Sequence, residues 1–334
     1  MPIDVHAHCV PPAILELLRD RGADYGVSVT AQQPACAECL EFAYGLRVRP
    51  FFPRLLEDAG RRVAHMDRQG ITKQVLSIWT DIFGYGLASR QGTAWHRLMN
   101  SSLAAWCAQD RRHFAWLASG ALPDAASAAR ELETSVRQEG AVGGVVAANV
   151  EGANLGDLSL DEYWAAATEL DVPVFIHPAQ PDPTPRTRRF TLMNPIVQYT
   201  FDTTLAVGSL IFSGVLDRFP GLRLILSHGG GAFPYLAGRF DCLHSRMDRK
   251  AAGNAALHEP SSYAPRMHYD TILHNAKALR FLAESVGVSR LVIGSDDSFP
   301  PADHDPLGSL RAAGFGLAEI ETIAETNPRR VFRL

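Results

Sequence analysis

The sequence has little of what marks the more specialised protein classes. It has 334 residues, five cysteines and a formal net charge of −4, and no apolar run is long enough to span a membrane. A nucleic-acid or acidic-membrane binder would usually carry a distinctly basic domain, so we expect a small-molecule partner instead. The chain enters a strand motif at once, without a basic leader region, and we expect a cytoplasmic protein.

Two further absences narrow the fold and the chemistry. The cysteines are odd in number and scattered, which is typical of a reducing compartment rather than a disulfide framework. Cys36 and Cys39 form a lone CxxC pair, and without a second pair at zinc-ribbon spacing two loop thiols are the simpler interpretation. No GxGxxG turn is present, which counts against a doubly wound nucleotide-binding sheet.

What the chain does contain is a regular alternation of short apolar strands and segments with helical spacing. The predicted strands are 3–9, 74–79, 114–119, 142–147, 173–177, 222–227, 267–271 and 291–296. The predicted helices are 54–69, 95–110, 124–138, 159–170, 202–218, 232–247, 276–286 and a closing helical region from 317. Eight strand-then-helix units with apolar strands predict an α/β fold, a (β/α)8 TIM barrel, as a single domain over 1–334. Residues 11–50 are expected to be an irregular, small inserted subdomain with one or two short strands, after the first strand.

Histidines and one aspartate stand at the carboxyl ends of four predicted strands. His6 and His8 point to the same face of the first strand, and His177, His228 and Asp296 end the fifth, sixth and eighth. Each alone is as well explained by a structural histidine or a capping aspartate. Because these strand ends share one mouth in a barrel, together they predict a metal site.

We assign His6, His8, His177 and Asp296 to the metal, because imidazole and carboxylate suit zinc and similar divalent ions. Manganese or iron(II) is left open. His228 is then the unliganded neighbour, and it can accept a proton from a metal-bound water and return it later.

Four motifs resemble the amidohydrolase-related decarboxylases: Asp4-Val-His-Ala-His8, FIHP (175–178), SHGGGAFPYLAGR (227–239) and GSDDSFP (294–300). The resemblance covers nearly the whole chain. It implies the same barrel with a small inserted β-subdomain and one zinc ion per subunit on the four ligands named above. It also implies that His228 is the acid/base, beside a catalytic Asp296. The HxH start favours the zinc-dependent branch over relatives that start with ExH.

The substrate-binding residues are less clear from the sequence. Arg47 and Arg49 are either solvated charges or a clamp for a carboxylate. The resemblance assigns the carboxylate to Arg47, places Phe299 in the same pocket, and implies that Arg239 reaches the neighbouring site of a homodimer. The family's pocket tryptophans are replaced here by Ala179 and Ile196, which leaves the exact substrate open.

The resulting hypothesis is non-oxidative decarboxylation of a small unsaturated or aromatic carboxylic acid. His228 delivers the proton to the carbon that bears the carboxylate, and CO2 leaves. A metal-dependent hydrolase or hydratase is the first alternative, because the same metal centre can activate water for attack. A non-catalytic, metal-stabilised binding protein is the second. Asp270 could orient a ligand histidine or cap a loop, and the role of Asp297 stays open.

Overall fold

The structure is a computed structural model that describes residues 1–32, 37–179, 184 and 186–334. Cys36 lies outside the described residues, so the CxxC prediction concerns only Cys39 here. Cys39 is buried in the core, and it forms no disulfide bond with any other cysteine that the structure describes.

The chain alternates strands and helices from end to end. The strands are β1 (Ile3–His8), β2 (Val27–Gln32), β3 (Ala37–Phe42), β4 (Lys73–Ser77), β5 (Phe114–Ala118), β6 (Gly143–Ala147), β7 (Asn149–Val150), β8 (Ala153–Asn154), β9 (Pro173–His177), β10 (Arg223–Leu226), β11 (His268–Asp270) and β12 (Leu291–Val292). The helices are α1 (Pro12–Tyr25), α2 (Ala59–Gln69), α3 (Ser89–Cys107), α4 (Ala125–Thr134), α5 (Asp161–Glu169), α6 (Tyr199–Phe212), α7 (Val215–Arg218), α8 (Phe233–Arg246), α9 (Ala276–Val286), α10 (Pro306–Ala312), α11 (Leu317–Glu321) and α12 (Asn327–Phe332).

Eight strands form one parallel sheet that confirms the predicted barrel. Their order is β1-β4-β5-β6-β9-β10-β11-β12, with parallel pairing throughout. The segment after β12 returns to β1, where Val5 N–H donates to Ile293 C=O at 2.9 Å and Asp296 N–H donates to His6 C=O at 2.8 Å. These two bonds close the sheet on itself, so the carboxyl ends of all eight strands open on one face.

The region after β1 is more regular than the sequence indicates. We expected Pro11 and Pro12 to introduce an irregular segment, and this was wrong, because α1 begins at Pro12. Proline is well suited to a first helical position, and Gly26 ends the helix in the left-handed conformation, with a φ of 66°. The antiparallel hairpin β2–β3 follows, paired from Val27 with Phe42 to Gln32 with Ala37. The predicted small strands are therefore present, behind a helix.

The other helix predictions differ mainly at their ends. The segment predicted as one helix over 202–218 is two helices, α6 and α7. They separate at Gly214, whose φ of 73° cannot continue a right-handed helix. The helix α10 was not predicted; its N-cap Asp305 accepts from Gly308 N–H, and Pro306 follows at the first helical position.

A buried ionic network lies beneath the closing segment. The Arg62 side chain is fully buried and donates to His8 C=O at 2.8 Å, to Ser298 Oγ at 3.1 Å and to Asp297 Oδ2 at 3.3 Å. Asp297 also pairs with Arg54 at 2.6 Å. Because these groups belong to α2, β1 and the segment after β12, the network fastens the last strand to the first. Asp297 therefore has a structural position below the mouth.

No helix in the described ranges is long and apolar enough to cross a membrane.

We predict that Arg62→Met lowers the free energy of unfolding by about 3–5 kcal/mol, because it leaves the buried Asp297 carboxylate undercompensated. Urea unfolding followed by circular dichroism measures the change. The matched control is Arg61→Met, one position away, where the side chain is 77% exposed and its pair with Asp58 is solvated. We expect less than about 0.5 kcal/mol there. Equal losses in the two variants would contradict a stabilising role for the network.

Candidate metal centre and substrate cavity

The predicted ligands meet at the carboxyl face of the barrel. His6 and His8 project from β1, His177 ends β9, and Asp296 follows β12. All four residues are buried, and one ligand atom from each lies within 4.8 Å of the others. The His6 and His8 Nε2 atoms are 3.1 Å apart, and they lie 3.2 and 3.4 Å from Asp296 Oδ1. Zinc–nitrogen bonds of about 2.0–2.1 Å in a tetrahedral site place neighbouring donor atoms roughly 3.3 Å apart.

The three imidazoles are oriented by bonds on their other nitrogen. His6 Nδ1 lies 2.6 Å from Asp270 Oδ2, and His8 Nδ1 lies 3.0 Å from Ser77 Oγ. His177 Nδ1 lies 2.7 Å from Pro178 C=O and is also near Thr80 Oγ1. Because Nδ1 is engaged in each ring, Nε2 is the atom that faces the common point. Such outer partners fix the tautomer and direction of metal-binding histidines.

These residues fit a divalent cation. Among the described residues, buried His177 Nε2 has no hydrogen-bond partner. Leaving a polar atom buried and unpaired is costly, whereas a lone pair directed at a metal ion is satisfied. Three imidazoles and one carboxylate are also a donor set that zinc, manganese and iron(II) accept. The arrangement supports a metal site at His6, His8, His177 and Asp296.

The protonation states also suit a metal site. Burial opposes the charge on His6, but Asp296 and Asp270 outweigh it and raise the His6 pKa to about 10. Burial and the neighbouring imidazoles hold the His177 pKa well below its usual value, and burial lowers that of His8. Burial opposes the Asp296 charge, yet His6, His228 and His8 hold its pKa well below the usual range. Near neutral pH the cluster therefore consists of the Asp296 carboxylate, the neutral imidazoles of His8 and His177, and a cationic His6. An incoming metal cation would displace the additional proton of His6.

Two residues at the centre have backbones in the left-handed region. The φ of His228 is 52° and that of Asp296 is 57°, values that cost a non-glycine residue of order 1 kcal/mol. The glycines that follow His228 permit its turn: a Cβ on Gly231 would lie 2.0 Å from Thr200 C=O. Gly294 serves the ligands directly, since a Cβ there would lie 3.0 Å from the Cβ atoms of both His6 and Asp270. The surrounding barrel holds the site in a conformation that isolated loops would avoid.

Asp270, whose role the sequence left open, joins two parts of the centre. It contacts His6 through Oδ2, which also accepts from His228 N–H at 2.9 Å. Its Oδ1 accepts from Gly229 N–H at 2.9 Å. One carboxylate therefore orients a ligand and holds the turn that carries His228, so both interpretations of Asp270 apply.

His228 stands beside the four-residue cluster and faces the cavity. Its Nε2 lies 3.5 Å from Asp296 Oδ2. Its Nδ1 is buried and has no hydrogen-bond partner within the described part of the chain. His228 is thus close to the metal site, with one ring nitrogen uncommitted.

The centre opens into a cavity of about 990 Å³ with a largely apolar lining. Trp79, Phe52 and Phe299 form an aromatic wall, with ring centroids 5.4–6.1 Å apart. The Phe299 ring centroid also lies 4.9 Å from that of His8, so the aromatic wall extends as far as the proposed metal site. Phe299 therefore lines the cavity, and Trp79, at a strand end, lines it as well. A flat conjugated ligand matches such a wall.

A polar group is set into this wall. Arg49 Nη2 donates to Asp81 Oδ2 at 2.8 Å and lies 3.4 Å from the Tyr199 hydroxyl. The guanidinium also lies 5.2 Å from the Trp79 ring centroid and 5.3 Å from that of Phe52. Arg49, Asp81 and Tyr199 all line the cavity. The Arg49 guanidinium is thus held in place by its ion pair with Asp81 and by the rings of Trp79 and Phe52.

Two arginines from the sequence prediction lie elsewhere in the single chain. Arg47 is not among the described residues that line the cavity; its side chain is 59% exposed and lies 3.6 Å from Glu41. Arg49, two positions on, occupies the cavity wall instead, so the clamp considered for the pair fits Arg49 alone. Arg239 is exposed on α8, beside a separate groove of about 340 Å³.

Four further residues of the site, Asp81, Tyr199, Thr80 and Ser77, were not predicted from the sequence. Ser77 lies in the predicted strand 74–79 and Thr80 follows it directly, so their place near the mouth could have been inferred. Tyr199 lies in a helix and Asp81 in a loop turn, and no short motif marks either of them.

Known proteins resemble this chain over nearly its whole length. The family model described as amidohydrolase matches residues 3–334. A 2-amino-3-carboxymuconate-6-semialdehyde decarboxylase from Dictyostelium discoideum is 28% identical over 327 residues, covering 98% of this chain and 88% of that protein. A 6-methylsalicylic acid decarboxylase from Penicillium expansum is 29% identical over 335 residues, covering 98% and 93%.

A solved structure confirms the fold. It is a 5-carboxyvanillate decarboxylase from Novosphingobium aromaticivorans complexed with manganese and 4-hydroxy-3-methoxy-5-nitrobenzoic acid. It superposes with a TM-score of 0.82 at 21% identity and covers 100% of this chain and 96% of the other. The family match over residues 3–334 shows that the chain belongs to the amidohydrolase family.

Proposed function

We propose that the protein is a metal-dependent, non-oxidative decarboxylase of small aromatic or unsaturated carboxylic acids. The observation that carries the proposal is His228, held beside a three-histidine, one-aspartate centre at the end of an aromatic-walled cavity. The two curated relatives that align over 98% of the chain are both decarboxylases of such acids, which supports this reaction over hydrolysis or hydration.

The chain's own residues would divide the work as follows. Trp79, Phe52 and Phe299 stack against the substrate ring and exclude water from it. Arg49 donates to an oxygen substituent of the ring and fixes its orientation. When bound, a divalent ion supplies Lewis-acid polarisation of a substrate oxygen or of water.

His228 would supply the proton. It would carry the proton at Nε2, which lies 3.5 Å from Asp296 Oδ2. Transfer to the carbon that bears the carboxylate interrupts conjugation of the ring. The C–C bond to the carboxylate then breaks, its electrons restore the conjugated system, and CO2 leaves. The substrate gains one proton at that carbon and His228 is reprotonated from solvent.

For the resident ion we propose zinc, held by His6, His8, His177 and Asp296, one per subunit. The closely spaced donor atoms and the three imidazoles support it. The manganese in the Novosphingobium structure makes manganese the first alternative to compare.

We propose a cytoplasmic homodimer as the working unit. Apolar side chains are exposed on α6 and α8, with Phe201 49%, Leu205 55% and Tyr235 79% accessible, and Arg239 lies on the same helix as Tyr235. Covering such residues with a second copy removes apolar surface from water and would bring Arg239 to the neighbouring cavity. The cytoplasmic location rests on the unpaired cysteines Cys9, Cys39, Cys107 and Cys242 among the described residues.

We predict that removing the metal with a chelator lowers the rate of CO2 release from an aromatic acid at least about 100-fold, since Lewis-acid stabilisation is worth several kcal/mol. Zinc or manganese added back restores the rate. Calorimetry in buffers of different ionisation enthalpy should show about one proton released per ion bound near pH 7.5, because His6 must give up its proton. Full activity after verified metal removal would contradict the proposal, and water addition without CO2 release would favour the hydratase alternative.

We predict that Arg49→Gln lowers kcat/KM about 10- to 100-fold, because a hydrogen bond to a charged group contributes about 1.5–3 kcal/mol. Arg47→Gln is the matched control. Its side chain is solvated, so we expect a change of less than about 2-fold. Steady-state assays of CO2 release on both proteins decide between the two arginines. A larger loss in the Arg47 variant would reverse the assignment.

We predict that His228→Asn and Arg239→Ala are each inactive as homodimers and regain activity when mixed. In a mixed dimer one site combines an intact His228 with an intact Arg239 from its neighbour, so random exchange restores about a quarter of the wild-type rate. Metal analysis and native mass spectrometry verify loading and exchange. Mixed dimers without recovery would show that Arg239 does not act across the interface, and a fully active His228→Asn protein would remove its acid/base role.

A further inference from the structure

The cavity wall contains a carboxylate, that of Asp81, to which the proposed reaction assigns no role. The Asp81 side chain is only 2% exposed, and its Oδ2 lies 2.8 Å from Arg49 Nη2. Thr80, the preceding residue, contacts the metal-site histidine His177 at 3.0 Å, which fixes the backbone that carries Asp81. The carboxylate is therefore a fixed negative charge in the wall, close to the metal centre.

Asp81 changes which ligands the wall can hold. Arg49 is the only arginine or lysine among the described residues that line the cavity. Its positive charge is balanced by Asp81, so the pair has no net charge. A second substrate carboxylate at this wall would meet Arg49 and Asp81 together, and a like charge brought next to a buried carboxylate costs several kcal/mol.

An uncharged oxygen substituent fits the same place well. Arg49 donates to Tyr199 Oη at 3.4 Å, which leaves the hydroxyl hydrogen of Tyr199 to donate to a ligand. The guanidinium offers further N–H groups, and its Nε is buried without a partner in the part of the chain that the structure describes. Trp79 and Phe52 hold the guanidinium in position. A hydroxyl on a stacked ring can accept from these donors without adding charge.

We propose that Asp81 is a specificity-determining residue that restricts the enzyme to acids with one carboxylate and a hydroxyl or similar uncharged polar substituent on the ring. This inference rests on the proposed decarboxylase function and names its substrate class. The single carboxylate is the one that leaves as CO2, at the metal centre. An Arg239 contributed by a neighbouring subunit would serve that same carboxylate.

The test compares 2-hydroxybenzoate with 4-hydroxyisophthalate, which is the same ring with a second carboxylate. For the wild-type metal-loaded protein we expect kcat/KM to favour the monocarboxylate about tenfold or more, since 1.4 kcal/mol is a factor of ten. Asp81→Asn removes the charge and keeps the shape, and it should raise the dicarboxylate-to-monocarboxylate ratio by about tenfold or more. The corresponding ratio of dissociation constants for the two acids is measured by calorimetry in a His228→Asn background, where turnover is blocked.

Glu41→Gln is the charge-matched control, because Glu41 pairs with exposed Arg47 and removing its charge should leave the ratio unchanged. Metal content and circular dichroism show whether the Asp81 variant is folded, and the wild-type Kd ratio does not depend on that variant. A wild-type preference for the dicarboxylate, or an unchanged ratio in a folded Asp81→Asn protein, would overturn the inference while decarboxylation stands. If neither acid loses CO2, the proposed function fails, and the Kd ratios still decide the role of Asp81.

Discussion

Closure of the barrel is the constraint on which the site depends. Asp296 N–H donates to His6 C=O at 2.8 Å, so the last strand is fixed to the first at the level of the ligands. Without that bond, a carboxylate and two imidazoles separated by almost the whole chain would not share one point. The Arg62–Asp297 network lies directly beneath this seam. Stability and metal binding therefore rest on the same contact between β1 and the segment after β12.

Assembling the centre costs free energy, through the burial of titratable groups and through backbone strain. The titratable side chains of His6, His8, His177, Asp270 and Asp296 are buried away from water. In addition, His228 and Asp296 have backbone φ angles in the left-handed region. Such strain persists only where the neighbouring structure over-determines it. Asp270 does much of this, since it orients His6 and holds the His228 turn through both oxygens. A rigid centre of this kind is already organised before substrate arrives, which is what electrostatic catalysis requires.

The sequence predicted the parts of the molecule that local periodicity and strand ends control. The barrel order and the meeting of His6, His8, His177 and Asp296 follow from placing ligands at the ends of parallel strands, because the fold itself brings those ends together. It could not predict α1, since a proline pair signals both a strand break and a helix start.

The cavity wall was the least predictable part. Arg47 and Arg49 have the same chemistry, and only the path of the chain after β3 shows that Arg49 faces the cavity while Arg47 faces solvent. Asp81 and Tyr199 reach Arg49 from a loop and a helix that are distant in sequence. Pairings of this kind depend on tertiary packing, for which a single sequence has no local signal. The four residues of the proposed metal site are thus the predictable part, and the residues of the cavity wall are the part that only the structure reveals.

The proposed reaction depends on one cation held by His6, His8, His177 and Asp296, with a coordination position open toward the cavity. Crystals of the metal-loaded protein, with anomalous data collected at the zinc and manganese absorption edges, test it most directly. We expect one anomalous peak per subunit, within about 2.0–2.2 Å of His6 Nε2, His8 Nε2, His177 Nε2 and an Asp296 oxygen, with a further coordination position open to solvent or substrate. A peak elsewhere, or an ion whose coordination is completed by protein atoms alone, would contradict it.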